Sequence, residues 1–285
     1  LEANSKLLEK MRLGYFDTIA EAEAKGGSSF LLPMLAKDYK KEAKKVKFPC
    51  YVQPKLDGMR SLHDNGFISR TGKAVDTLGH IVIPDTQGLV LDGELYAHGI
   101  SFQENMKLIK KYRKGQTEQV KYHVYDLIMD APFSERYLAL AKLVGGLEHV
   151  ELVHCQRIHS EQELVTVHQQ YLSLGYEGTM IRHSEEGYQV NKRSSQLLKY
   201  KDFLDETYKV IDVIPSESRP EQGIVVCTSE YGSFSCGMKF PHEAREEILR
   251  NKHIYIGQIA EVRFFEFTDG GLPRFPICYG FRFDK

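Results

Sequence analysis

The last stretch of the chain constrains the fold most. From Leu204 it runs through YKVIDVI, GIVVCTS and FSCGMKF, a short helical segment from His242 to Arg250, then QIAEVRFFEF and PICYGFRF. Five short strand-like runs with one helix, all within about 80 residues, point to a small closed β-barrel. The residues before it have a different texture, with strands and helices intermixed. Two domains are therefore expected, 1–203 and 204–285.

The barrel pattern is that of the OB type. The first domain reads as α+β. A helix is predicted from about Asn4 to Lys25, with Leu7, Leu8 and Met11 on one stripe and Gly26-Gly27 as its stop. A linker, GGSSFLLPML, leads to a basic run from Lys37 to Lys47. Phe48 to Gln53 then reads as a strand that delivers Lys55 to the turn Asp57-Gly58. Ser101 and Glu104 form a capping box for a helix through about Lys114. Lys121 to Met129 is a buried-strand pattern interrupted by Asp126, an acid that needs a partner there. Ser134 opens a helix ending near Gly145-Gly146, and Ser160 with Glu163 caps another that stops at Gly175. Strands follow at Glu177–Arg182 and Leu197–Lys201.

Asn65-Gly66 between Ser61–Asp64 and Phe67–Arg70 is a type I′ hairpin signal. A two-residue loop would pair Ser61 with Arg70 and put Arg60 on the other face. If both arginines serve one site, a bulge or long reach is required.

The chain has 285 residues, 42% hydrophobic and 27% charged, the balance of a soluble globular protein. No window approaches the roughly 18 apolar residues of a membrane helix, and no secretory pattern opens the sequence, so no membrane partner and a cytoplasmic setting are expected. It begins with Leu1 rather than Met and is open to being part of a longer chain. The five cysteines are scattered and form no C-x-x-C pair, which argues against a zinc cluster or a disulfide framework. A net charge of −1 does not point to nucleic acid. Two local runs are basic, however: Lys37 to Lys47, and Lys107 to Lys114 (KLIKKYRK).

The polar residues in or beside strands form one constellation: Lys55, Arg60, Arg70, Glu94, Asp126, Glu177, Arg193, Lys199 and Lys201. Nucleotidyl transfer to an amine needs these types. A nucleophilic lysine must be neutral, which neighbouring cations and burial favour. Arginines and lysines balance a triphosphate and its leaving pyrophosphate, and carboxylates hold magnesium. Lys199 and Lys201 alternate along a strand, so both ammonium groups share a face, an arrangement that favours an anion between them.

These runs, in this order, resemble the covalent nucleotidyltransferases, specifically small phage-like ATP-dependent DNA ligases. The K-x-D-G-x-R motif is matched by Lys55 to Arg60, including Asp57, and S-R-T-G by Ser69 to Gly72. D-G-E is matched by Asp92 to Glu94, the aromatic-Asp pair by Tyr125-Asp126, and E-G-x-x-I/V-R by Glu177 to Arg182. L-K-x-K is matched by Leu198 to Lys201. The tail Gly280 to Lys285 resembles the family's last motif. The resemblance implies an α+β nucleotidyltransferase domain of ATP-grasp-like antiparallel sheets and helices, followed by the OB barrel. It implies a monomer acting on nicked duplex DNA in replication, repair or recombination, in a bacterial or phage-infected cell.

It also implies roles. Lys55 would carry AMP from ATP. Gln53 would read the adenine edge and Tyr125 would stack on the ring. Arg60 and Glu94 would sit near the ribose, and Arg70 near the phosphate and the nick. Glu177, with Glu94, would hold Mg2+. Arg193, Lys199 and Lys201 would bind phosphates. Arg282, Asp284 and Lys285 would act in the first step, with the barrel closed over ATP. Asp126 is either structural or catalytic, and Arg182 is expected to be a structural partner of Glu177 or its neighbours. Two rivals stand beside this reading: an RNA ligase or GTP-dependent capping enzyme, and a non-catalytic OB-fold nucleic-acid binder. An NAD-dependent ligase does not fit, because its four zinc cysteines are missing. Only about fifty residues precede Gln53, too few for the helical DNA-binding domain of larger ligases.

Charge alone assigns Lys40 to Lys47 to DNA. Replacing those lysines by alanine should weaken nick binding and flatten its salt dependence. An unchanged salt slope would refute the assignment.

Overall fold

The computed structural model describes residues 31–183 and 185–283. The N-terminal helix expected from Asn4 to Lys25, and Asp284 and Lys285, lie outside the described residues. The chain divides into two compact units, 1–201 and 202–285.

In chain order the first unit has β1 (Leu35–Asp38), α1 (Tyr39–Glu42), β2 (Cys50–Lys55), β3 (Met59–His63), β4 (Phe67–Ser69) and β5 (Val90–Tyr96). After these come α2 (Phe102–Lys110), β6 (Lys121–Ile128), α3 (Phe133–Val144), β7 (Val150–Leu152) and β8 (Gln156–Ile158). The unit ends with α4 (Glu161–Ser173), β9 (Gly178–Arg182) and β10 (Arg193–Tyr200). The strands make two five-stranded sheets, ordered β1-β10-β9-β2-β8 and β4-β3-β5-β6-β7.

Alternation decides which face of each sheet is apolar. In the first sheet Cys50, Val52, Ile181 and Leu198 point to one side and pack on Leu164, Val167 and Tyr171 of α4. In the second, Leu91, Leu95, Tyr122, Val124 and Leu127 pack on Leu108 and Ile109 of α2 and Leu140 and Val144 of α3. The residues between them in sequence, Gln53 and Lys55 on β2 and Arg60 and Glu94 on β3 and β5, point the other way, into a shared cavity.

Several boundaries differ from the sequence reading. The β3–β4 hairpin pairs Ser61 with Ser69 and His63 with Phe67, so its loop has three residues rather than two. Asn65 takes a positive φ of 52°, and the Asp64 amide donates to the Gly66 carbonyl at 3.0 Å. The one-residue shift reverses the expected parity: continued past Ser69, the register sets Arg70 opposite Arg60. Both arginines reach the same cavity without a bulge.

Helix α2 stops at Lys110 rather than near Lys114, because side chains take its last carbonyls. The Thr117 hydroxyl donates to the Leu108 carbonyl at 3.3 Å, and the Thr77 hydroxyl donates to that of Ile109. Helix α3 starts at Phe133 behind Pro132, and Ser134 falls in its first turn without a capping role. The capping hydroxyls of Ser101 and Ser160 do accept from the amides of Glu104 and Glu163, each at 3.2 Å. The short strands β1, β7 and β8 carry too few residues to show a period and were not expected.

The second unit holds β11 (Leu204–Pro215), β12 (Gly223–Ser229), β13 (Gly232–Met238), α5 (His242–Arg250), α6 (Lys252–Tyr255), β14 (Ile259–Phe264) and β15 (Ile277–Arg282). The strands close in the order β11-β12-β13-β15-β14, with β13 and β15 parallel and the helices between β13 and β14. This is the OB arrangement. Its interior is filled by Val210, Val213, Val225, Cys227, Cys236, Val262, Phe264 and Cys278. Burial pushes the Cys227 thiol up to about 12 and that of Cys278 up to about 11, so these cysteines act as small core hydrophobes. Among the described residues no helix is long and apolar enough to cross a membrane.

Gly178, paired opposite Lys55, has φ +152°, and a Cβ there would strike the backbone carbonyl of Tyr200. Gly178→Ala should therefore destabilise the first unit by about 1–3 kcal/mol in denaturant unfolding. An unchanged midpoint would show that β9 and β10 can separate at no cost.

Candidate active site

The cavity between the two sheets measures about 850 Å³. Lys55 enters it from the last position of β2. The turn after it depends on Gly58, where a Cβ would strike the carbonyl of Leu95 on β5. Asp57, in the same turn, is half-buried and not part of the lining.

Lys55 faces the start of β9. The Glu177 amide donates to the Lys55 carbonyl at 2.9 Å, and the Lys55 Nζ donates to Glu177 Oε2. Lys201 Nζ donates to the other oxygen, Oε1, at 3.2 Å. Burial pushes the Glu177 carboxyl up, but the ammonium groups of Lys55 and Lys201 outweigh it, and the net shift is downward. Lys199 lies two residues away on the cavity wall. Its ammonium is pushed down, by burial first and then by Lys201 and Lys55. The anion expected between alternate lysines is met in part by Glu177, which takes Lys201.

The second sheet supplies the opposite wall. Arg60 is gripped by Asp92 through two bonds, Nε to Oδ1 at 2.9 Å and Nη2 to Oδ2 at 2.5 Å. The Tyr188 hydroxyl donates to Asp92 Oδ2 at 2.6 Å and accepts from the Met34 amide at 2.9 Å. Glu94 stands opposite Arg60 in register and accepts from the Tyr125 hydroxyl at 3.3 Å. Burial raises the Glu94 carboxyl to about 8, despite the Lys55 and Arg60 cations that pull it down.

Tyr125 owes its position to a bulge. Gly93 pairs with Val124 and Asp92 with Asp126, leaving Tyr125 as the extra residue between them. Its ring lies 5.7 Å from the Arg60 guanidinium carbon and 5.9 Å from that of Arg182.

Asp126 is fully buried. It accepts from Arg136 Nε at 2.8 Å and Nη2 at 3.2 Å, from Arg182 Nη1, and from the Leu127 amide at 2.8 Å. Arg182 is thus held by Asp126 rather than by Glu177, and it also donates Nε to Gln53 Oε1 at 2.8 Å. Gln53, Arg70, Arg193 and Lys199 all line the cavity. Arg193 spends Nη1 on the Ala36 carbonyl at 2.7 Å. Arg282 belongs to the second unit, where its Nε donates to Glu261 Oε1 at 2.7 Å.

Tyr188 and Arg136 escaped the sequence reading. Asp126 could have led to Arg136, since a buried carboxylate demands a cation, whereas the run around Tyr188 carries no signal at all. Among the described residues no three acidic, histidine or cysteine side chains converge as a metal cage. Glu94 and Glu177 fit a magnesium ion of the kind that keeps most of its ligands as phosphate and water and takes one or two carboxylates.

A family model described as ATP dependent DNA ligase domain matches residues 33–201, more than half of the chain. The chain belongs to the ATP-dependent DNA ligase family. A second model of this ligase family, the DNA ligase OB-like domain, matches residues 222–282. The DNA ligase of Enterobacteria phage T4 is 25% identical over 304 residues, which take in 80% of this chain. This chain spans 62% of that relative's length. The DNA ligase of Haemophilus influenzae is 29% identical over 230 residues, 78% of this chain and 82% of its own. A solved Lig E DNA ligase superposes with a TM-score of 0.77 at 22% identity, over 88% of this chain and 99% of that one, and shares its fold.

The buried Glu94 carboxyl predicts a pH effect. Its folded value of about 8 lies above the ordinary 4.5, so the folded protein holds a proton that the unfolded chain releases. Stability should fall as pH rises from about 4.5 to about 8 and level off above it. Glu94→Gln should abolish that decline, so its melting-point advantage grows across the window. An advantage independent of pH would contradict the burial of this charge.

Proposed function

We propose that the chain is an ATP-dependent DNA ligase that seals 5′-phosphate/3′-hydroxyl nicks in duplex DNA. One observation carries the reading: a lysine at a strand end, held by one carboxylate, opens into a cavity walled by Arg60, Arg70, Arg193 and Lys199. That surplus of cations suits a triphosphate and little else of comparable size.

In the first step the Lys55 amine attacks the α-phosphorus of ATP. A P–N bond forms, the bond to the bridging oxygen breaks, and pyrophosphate leaves. The Glu177 contact holds Lys55 in place before attack and must give way for the amine to react. AMP then passes to the 5′-phosphate of the nick, and the 3′-hydroxyl displaces it. Tyr125 offers its face to the purine and Gln53 its amide. Arg60 and Glu94 sit at the ribose. Arg70 serves the phosphate and the nick, and Arg193, Lys199 and Lys201 balance phosphate charge. Magnesium, held by Glu177 and Glu94 together with the nucleotide's own phosphates, would supply positive charge at the α-phosphate oxygens. Arg282, Asp284 and Lys285 are assigned to the first step. In this reading the protein works as a monomer in the cytoplasm of a bacterial or phage-infected cell.

The test is a sealing assay with magnesium that compares ATP with GTP and a DNA nick with an RNA nick. ATP-dependent sealing of the DNA nick is expected, with Lys55→Ala losing it by at least about 10³-fold. Labelling by GTP without sealing would move the reading to a capping enzyme. Sealing that survives Lys55→Ala would overturn it.

A further inference from the structure

The Gln53 side chain is 1% exposed, and each end of its amide has a partner, with one of the two Nε2 hydrogens left over. Its Oε1 accepts from Arg182 Nε at 2.8 Å, and its Nε2 donates to the Tyr125 carbonyl at 3.2 Å. An arginine can only donate and a carbonyl can only accept. The two neighbours therefore allow one orientation of the amide and forbid the flipped one. The NH2 end lies on the Tyr125 side of the cavity.

Arg182 is itself immobilised. Its Nη1 bonds Asp126, which is clamped from the other side by Arg136. The guanidinium carbon lies 4.4 Å from the Phe133 ring centroid. Cross-strand register supports the contact: Tyr51 faces Arg182 and Gln53 faces Met180, so Gln53 and Arg182 are diagonal neighbours on one face of the sheet. The chain Asp126, Arg182, Gln53 thus ends in an N–H group of fixed direction beside the ring expected to stack on the base.

We infer that Arg182 is a positioning residue for purine selection, turning the Gln53 amide so that the pocket reads the base through a hydrogen-bond donor. The inference rests on the ligase reading above and adds to it which group meets the base. On the Watson–Crick edge of adenine the only acceptor is N1, because the exocyclic amine donates. The donor of Gln53 is therefore matched to N1, and a purine with carbon at that position leaves a buried N–H unpaired.

The experiment measures formation of the lysine-linked nucleotide on the whole chain, with ATP and with 1-deazaATP as competing probes. Wild type should prefer ATP by roughly tenfold or more. Gln53→Glu, whose carboxylate still accepts from Arg182 but offers no donor, should bring the ratio toward one. Arg182→Lys keeps a cation beside Asp126 but lacks the fork that reaches Gln53 as well. It should lower the ratio at least severalfold while labelling by saturating ATP persists. A melting curve for each variant separates misfolding from lost selection. Equal use of the two triphosphates by wild type would overturn the inference without any variant. Undiminished preference in a folded Arg182→Lys would overturn the role of Arg182. Failure of every triphosphate to label the wild-type chain would overturn the ligase reading, and this inference with it.

Discussion

Two buried carboxylates, Asp92 and Asp126, face each other across β5 and β6, both 0% exposed. Like charges in cross-strand partners repel, and burying either alone is costly. Each is tolerated because guanidinium groups reach it from outside its own strand: Arg60 for Asp92, Arg136 and Arg182 for Asp126. The arginines are fixed in return. Arg60 and Arg182 line the cavity at their outer ends, so the acids below decide where the cavity's donors point. The bulge between the Asp92–Asp126 and Gly93–Val124 pairs leaves Tyr125 next to them as the extra residue.

The opposite wall works by a different balance. There the cations are in excess, and Glu177 divides its two oxygens between Lys55 and Lys201. Lys199 is left with its ammonium pushed down by burial and by its neighbours. One wall is thus a neutralised, rigid polar network and the other an incompletely neutralised one. A polyphosphate would complete the second without disturbing the first.

Much of this was legible in the sequence because strand alternation is local. Lys199 and Lys201 were set on one face by counting alone, and the barrel's five strands and His242–Arg250 helix were read within a few residues. What escaped depended on contacts between distant segments. The hairpin loop gained one residue because pairing stops at His63–Phe67 and Asp64 bonds Gly66 within the loop, and that shift decides whether Arg60 and Arg70 share a face. Helix α2 was cut short by hydroxyls of Thr77 and Thr117, neither of which belongs to the helix. Tyr188 joins Asp92 to Met34 across the fold, and nothing in its own neighbourhood announces it. Arg182, expected to partner Glu177 or its neighbours, goes instead to Asp126 and Gln53, while Lys55 and Lys201 take Glu177.

Three lysines meet at this site, and burial and its neighbours push the Lys199 ammonium down, which is an argument for Lys199. Position favours Lys55, at the strand end where β2 and β9 meet. Peptide mapping of the whole chain after incubation with ATP and magnesium decides between them. AMP is expected on the peptide carrying Lys55 and not on that carrying Lys199 and Lys201. AMP on Lys199 would contradict that expectation.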